Sequence, residues 1–168
     1  MKVLITGGNG FIGSHLCEHY LNSGDEVISL DNFSTGANKI ESNFSSRLKI
    51  VNADIRDKKV TEDLIKSADL ILHMAAALGV KNIIENTIES IDINFNGSEN
   101  ILKTASKFKK RIIIASTSEI YGKNSKVPLN EEDDRIVGPP NRFRWSYSDA
   151  KALEESVATV LFLREKLP

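Results

Sequence analysis

The chain has 168 residues, 40% of them hydrophobic and 27% charged, and its 22 Lys and Arg against 23 Asp and Glu leave a formal net charge of −1. That balance suits one globular domain with its own core and excludes binding that rests on a basic footprint for nucleic acid or anionic lipid. A single cysteine, Cys17, excludes an intrachain disulfide framework, and no apolar run approaches the roughly 18 residues a membrane span needs.

In chain order, Lys2–Thr6 reads as a short apolar strand. Phe11 to Ser23 reads as a helix with Phe11, Ile12, Leu16, Tyr20 and Leu21 as its apolar stripe, and Gly24 as its stop. Cys17 falls on the inner side of that helix as a core thiol. Glu26–Leu30 is the second strand, and residues 31–46, rich in Asn, Ser, Thr and Gly, read as a long loop. Leu48–Val51 is the third strand, Lys58–Lys66 a helix and Asp69–His73 the fourth strand. After a loop, one helix is predicted from about Thr87 to Lys107, then a fifth strand over Arg111–Ala115. The basic run Lys107 to Arg111 reads as a solvated helix end. Residues 122–142 are polar and punctuated by Gly122, Pro128, Gly138, Pro139 and Pro140. The last helix runs from Arg144 to Lys166, with Tyr147, Leu153, Val157, Val160 and Leu161 expected on its inner face. Strands alternating with helical crossovers predict an α/β fold, a doubly wound parallel sheet whose strands are buried on both faces.

The most informative local pattern is Thr6-Gly7-Gly8-Asn9-Gly10-Phe11-Ile12-Gly13, between the first strand and the first helix. It reads as Gly8-x-Gly10-x-x-Gly13 or as Gly7-x-x-Gly10-x-x-Gly13. Glycines there permit a tight turn, close approach of backbone to a pyrophosphate, and close helix–strand packing. The helix N-terminus adds N–H donors and positive potential for phosphates. The strand–turn–helix context is what separates this pattern from glycines in an ordinary loop. Asp31 follows the second strand at about the 20-residue spacing of a ribose-binding carboxylate, which would repel a 2′-phosphate and so favours NAD over NADP.

With these residues the sequence resembles the extended short-chain dehydrogenase/reductase family, in its branch of NAD-dependent nucleotide-sugar epimerases, dehydratases and decarboxylases. The opening resembles that family's TGxxGFIG fingerprint, with Gly7, Gly10 and Gly13 as its glycines. Asp54-Ile55-Arg56-Asp57 is similar to the segment that contacts adenine, and His73-Met74-Ala75-Ala76 to the turn lining the cofactor cleft. Asn94 to Asn100 resembles the N-x-x-GT-x-N helix segment, with Ser98 for Thr. Ser116 to Gly122 resembles the catalytic strand end, and Tyr147-Ser148-Asp149-Ala150-Lys151 fits YxxxK. The resemblance implies a Rossmann-type fold over residues 1–168 and a cofactor set of Gly7, Gly10, Phe11, Ile12, Gly13, Asp31, Asn32, Asp54, Ile55, Ala75, Ala76, Tyr147 and Lys151. It implies catalysis by Thr117, Glu119, Tyr147 and Lys151, and no metal. His73, Asn94 and Tyr121 are expected to be structural.

Tyr147 and Lys151 are one helical turn apart, on one face. A free phenol ionises near pH 10. A nearby ammonium and the cationic nicotinamide are expected to favour its phenolate. The resemblance then implies oxidation of a UDP-linked sugar at C4, Tyr147 taking the hydroxyl proton with Thr117 as its relay. A UDP-glucose 4-epimerase is the leading expectation. The Thr117-Ser118-Glu119 string resembles UDP-glucuronate decarboxylases, and a sugar 4,6-dehydratase is the further alternative, with Glu119 expected near sugar C5. Family members are longer, so the chain is expected to lack the last strands and the substrate lobe. It would then be inactive alone, as a dinucleotide-binding fragment or one half of a split protein. The helices near 87–107 and 144–166 are those that pair in the family's dimers, which implies a homodimer. A cytoplasmic location is expected from the lone thiol and the lack of a signal segment.

Overall fold

In the computed structural model, which describes residues 1–35, 40 and 46–168, five strands form one parallel sheet. They are β1 (Lys2–Thr6), β2 (Glu26–Asp31), β3 (Leu48–Asn52), β4 (Leu70–His73) and β5 (Arg111–Ile114). Their spatial order is β3-β2-β1-β4-β5, so the chain reverses direction of travel beside β1. The register sets Thr6 of β1 between Leu30 of β2 and His73 of β4, at the carboxyl ends of all three strands. Most of the loop expected over 31–46 lies outside the described residues.

The period-2 alternation of strands assigns each side chain to a face. Val3, Ile5, Val27, Leu70 and Leu72 point to one side, where Cys17 and Leu21 of α1 (Phe11–Asn22) cover them. Leu4, Ile28, Leu30 and Ile71 point to the other. There they meet Leu64 and Ile65 of α2 (Lys58–Ser67), and Ile101, Leu102 and Ala105 of α5 (Ser98–Lys107). Leu161 of α6 (Trp145–Glu165) closes that side. The sheet is therefore doubly wound, as expected. The expectation of strands buried on both faces holds for β1, β2 and β4 only. The edge strands β3 and β5 are largely accessible, with Ile50 and Ile113 about half exposed.

Local chemistry sets several boundaries. Asp57 caps α2 by accepting the N–H groups of Lys59 and Val60. Gly24, at φ +92°, ends α1 as expected. Two expectations for helices need correction. Phe11 and Ile12 do not belong to the inner stripe of α1; they are 76% and 59% exposed, while Gly13, Ser14, Cys17 and Leu21 are buried. On α6, Tyr147 and Leu161 face inward, but Leu153 and Val160 are about half exposed. Helix α6 is apolar on more than one side, so its pattern did not select a single inner stripe.

The loop expected after β4 contains a further helix, α3 (Val80–Glu85). The single helix expected from Thr87 is in three parts: α4 (Thr87–Ile91), a π-helical turn over Asp92–Gly97, and α5. A short 3-10 turn, Ser118–Tyr121, follows β5.

Candidate active site

The glycine turn leaves β1 at Thr6 and enters α1 at Phe11. Gly7 sits at φ +66°, and a Cβ there would lie 2.8 Å from the Ala75 amide nitrogen. A Cβ on Gly13 would lie 2.0 Å from the Gly7 carbonyl oxygen, so the first turn of α1 packs directly on the loop. The first intrahelical bond is Ser14 N–H to the Gly10 carbonyl. The amides of Phe11, Ile12 and Gly13 precede that bond, at the positive end of the helix where an anion is favoured.

Asp31 shares the β2 face of Val27 and Ser29, which points toward this turn. Its carboxylate accepts the Asn9 N–H at 2.9 Å and the Phe33 N–H at 2.8 Å. Ser29 donates to the Asn9 side chain at 2.7 Å, holding the loop from below. A cleft of about 280 Å³ opens here, and it is lined by Gly7, Gly10, Phe11, Ile12, Gly13, Asp31, Asn32, Ile55, Ala75 and Ala76. Ten of the expected cofactor residues thus meet in one place, and the exposure of Phe11 and Ile12 is exposure to this cleft. Asp54 is not among the lining residues. Its carboxylate takes a bidentate bond from Arg56, at 2.9 Å to each oxygen, and one from Asn32. Arg56 also reaches Asp92 and Glu89, so it ties the end of β3 to the helices after β4. The guanidinium holds Asp54 below the usual carboxylate range.

Under the cleft runs a buried polar chain. His73, wholly buried, bonds Thr6 Oγ1 at 2.6 Å through Nδ1 and Ser98 Oγ at 2.9 Å through Nε2. Thr6 Oγ1 also accepts the Ala75 N–H at 3.2 Å, which links the ring to the loop after β4. Burial, and then Lys151, push the imidazole down to about 3, so it is neutral. Its approach to Glu154 Oε1 at 3.8 Å is then no ion pair. Asn94, in the π-helical turn, accepts the Ala77 N–H at 2.7 Å and donates to the Ala77 carbonyl at 3.0 Å. It pins the loop that carries Ala75 and Ala76, a structural role as expected.

A second cleft of about 190 Å³ adjoins the first at Leu78 and is lined by Thr117, Glu119, Arg144 and Tyr147 with Leu78, Gly79, Val80 and Ile83. Thr117 caps the 3-10 turn by accepting the Glu119 N–H. That turn aims Glu119 into the cleft beside Thr117 and Tyr147. Lys151 lies behind this wall, 2% exposed, and donates to the Ala115 carbonyl at 2.8 Å and to Glu154 Oε2 at 2.7 Å. The expectation that Lys151 draws the Tyr147 phenol down is corrected. Burial, then the carboxylates of Glu119 and Glu154, push Tyr147 up, and the Thr117 hydroxyl only partly opposes them. The Lys151 charge is balanced by Glu154.

Two side chains at this site escaped the sequence reading. Arg144 stacks 4.8 Å over the Trp145 ring and puts a cation in the second cleft. Its place one turn before Tyr147 was the available signal. Glu154 is buried, and its i,i+3 spacing from Lys151 was visible but carried no sign of burial.

The family described as GDP-mannose 4,6 dehydratase matches this chain over residues 4–166. The UDP-N-acetyl-alpha-D-glucosaminuronate decarboxylase of Bacillus cytotoxicus is 45% identical over 93% of this chain and 48% of its own length. UDP-glucuronic acid decarboxylase 1 of Danio rerio is 33% identical over 98% of this chain and 38% of its own. A solved UDP-glucose 4-epimerase from Bifidobacterium longum, in complex with NAD+ and UDP, superposes with a TM-score of 0.81 at 28% identity, covering 97% of this chain and 49% of that one. The chain thus spans half or less of the length of each of these relatives.

Proposed function

The chain belongs to the GDP-mannose 4,6 dehydratase family, and from that membership we propose that it carries the NAD site and reacting residues of an enzyme that oxidises a UDP-linked sugar at C4. The observation that carries this reading is the adjacency of the two clefts, a glycine-walled one ending at Asp31 and one holding Thr117, Glu119 and Tyr147. The first fits a dinucleotide. Side chains at Gly7 and Gly13 would collide with the backbone of Ala75 and of Gly7, and so would displace the turn that faces the cleft. Asp31 accepts ribose hydroxyls on its remaining lone pairs and repels a 2′-phosphate.

Bound NAD+ supplies the acceptor for the C4 hydride. Tyr147, as phenolate, takes the C4 hydroxyl proton, and Thr117 orients that hydroxyl and relays the proton. A bound nicotinamide cation would favour the phenolate that burial and the nearby carboxylates disfavour, and Lys151 would hold the nicotinamide ribose. The leading reading is a 4-epimerase, in which the hydride would be handed back to the opposite face of C4.

A second reading, loss of a C5 carboxylate as CO2 from the 4-keto sugar, is favoured by Glu119 and Arg144 both lining the second cleft and by the 45% identical decarboxylase. There Arg144 would hold the carboxylate until it leaves. Incubating the protein and NAD+ with UDP-glucose, UDP-glucuronate and UDP-N-acetylglucosaminuronate, with product analysis, separates the readings. UDP-galactose marks the epimerase and a UDP-pentose the decarboxylase. No product from any of the three refutes C4 oxidation by this chain and leaves the expected dinucleotide-binding fragment, which an NAD+ titration then tests.

The assembly we propose is a homodimer through α4, α5 and α6. These helices leave Ile88 86%, Ile91 42%, Leu153 51% and Val160 47% exposed, an apolar surface suited to a second copy. No described helix is long and apolar enough to cross a membrane. A reducing cytoplasmic setting suits the unpaired Cys17 thiol.

A further inference from the structure

Glu154 is 2% exposed, and neither its place in the fold nor its charge is explained by packing. It lies on α6 one turn beyond Lys151 and faces the buried polar chain. The groups around it come from four elements. Lys151 and Tyr147 share its helix, as does Glu155, which is bonded to the Ser116 hydroxyl. His73 faces it from β4, with Nε2 at 3.8 Å, and Ser98 from α5. Glu119 reaches the same phenol from the 3-10 turn. Oε1 of Glu154 is buried without a hydrogen-bond partner. A carboxylate in such a place is costly unless it answers a charge: burial pushes Glu154 up, Lys151 opposes that most, and among the described residues Lys151 is the cation bonded to it.

An ammonium has three donors. In Lys151 the Ala115 carbonyl takes one and Glu154 Oε2 takes another. Both acceptors are rigid, one the backbone just past β5 and the other a buried side chain on the same helix. Tetrahedral geometry then fixes the direction of the third. We infer that Glu154 is a positioning residue: with the Ala115 carbonyl it anchors the Lys151 ammonium, leaves one donor for the site in front of Tyr147, and balances the charge that Tyr147 would otherwise feel. This deepens the reading above and rests on it for the roles of Tyr147 and Lys151. The ion pair itself is independent of that reading.

The consequence lies in timing. Paired with Glu154, Lys151 does not by itself make a phenolate, in keeping with the upward push on Tyr147. The base would then form only with a dinucleotide cation bound, which would restrict proton abstraction to the loaded site.

Tyrosinate absorbance against pH tests this, each protein being read against its own Tyr147→Phe derivative so that Tyr20 and Tyr121 cancel. In Glu154→Gln the Tyr147 midpoint moves to lower pH, because the ammonium stands uncompensated, while Glu154→Asp keeps the unmutated midpoint. In a Lys151→Met background, Glu154→Gln no longer shifts it, since a buried carboxyl without its cation is already neutral. An unmoved midpoint in Glu154→Gln overturns the inference. So does an equal shift in the Lys151→Met background, which makes Glu154 act on the phenol directly. If Glu154→Gln loses its cooperative melt, the unmutated chain decides. Its nitrogen-15 spectrum then shows one lysine ammonium protected from exchange and missing in Lys151→Met, and absence of that signal overturns the anchoring. None of these readouts needs dinucleotide or turnover. A chain that shows the shift but makes no product refutes the proposed reaction and leaves the ion pair standing.

Discussion

His73 faces α5 because β4 alternates, and at that depth only the neutral ring is tolerated. Its folded value, about 3, lies below the unfolded value of about 6.5. A depressed histidine contributes stability that is complete above the unfolded value and is lost as pH falls toward the folded one. The chain is therefore expected to lose stability from about pH 6.5 downward, by on the order of a few kcal/mol near pH 3 from this group. Chemical unfolding across that range checks it. His73→Asn flattens this limb, whatever it does to stability at neutral pH, and an unchanged slope removes His73 as its source. The sequence placed His73 at a strand end and marked it as structural. Its partners Thr6 and Ser98 are 67 and 25 residues away, and only the folded sheet joins them.

At the scale of the element, the strand–turn–helix unit from β1 to α1 depends on close backbone contact. Gly13→Ala sets a Cβ 2.0 Å from a carbonyl oxygen that cannot retreat, so the loss of stability is expected to exceed about 2 kcal/mol and to remove dinucleotide binding. Gly10→Ala meets the Gly7 carbonyl at 3.1 Å and melts nearer the unmutated chain. Calorimetric melts and NAD+ titrations of the two variants check this, and equal behaviour refutes the close-packing account. The strand and the glycine turn of this unit were legible, because glycine spacing and strand pattern are local, whereas the inner face of α1 was not, since Phe11 and Ile12 face the cleft. The stretch after β4 was not. Helix α3 is six residues long, and the π-helical turn keeps the apolar spacing of one helix while shifting Asn94 onto Ala77. A short helix and a widened turn are fixed by what they pack against, which no local window contains.

At the scale of the molecule, the sheet gathers its site residues at one end. Asp31 ends β2 while Ala75 and Thr117 follow β4 and β5, and parallel strands bring their carboxyl ends to one edge. The opposite concern is the surface left on α4 and α6. A homodimer is expected by light scattering, and Ile88→Glu, at an 86% exposed position, is expected to give a monomer with little change in melting temperature. A monomer in the unmutated chain refutes that assembly.

The sequence by itself determined the α/β class, the strand set, the phosphate turn with Asp31, and the pairing of Tyr147 with Lys151 on one helix. Each of these is written in spacing: two residues for a strand, about four for a helix, fixed offsets for the glycines. The tertiary structure alone decided what those groups experience. It turned the Asp54 carboxylate to Arg56, gave the Lys151 charge to Glu154 rather than to Tyr147, and put Arg144 in the second cleft. Spacing says which side chains share a face. Burial and nearby charge set their protonation, and both come from residues distant in the chain.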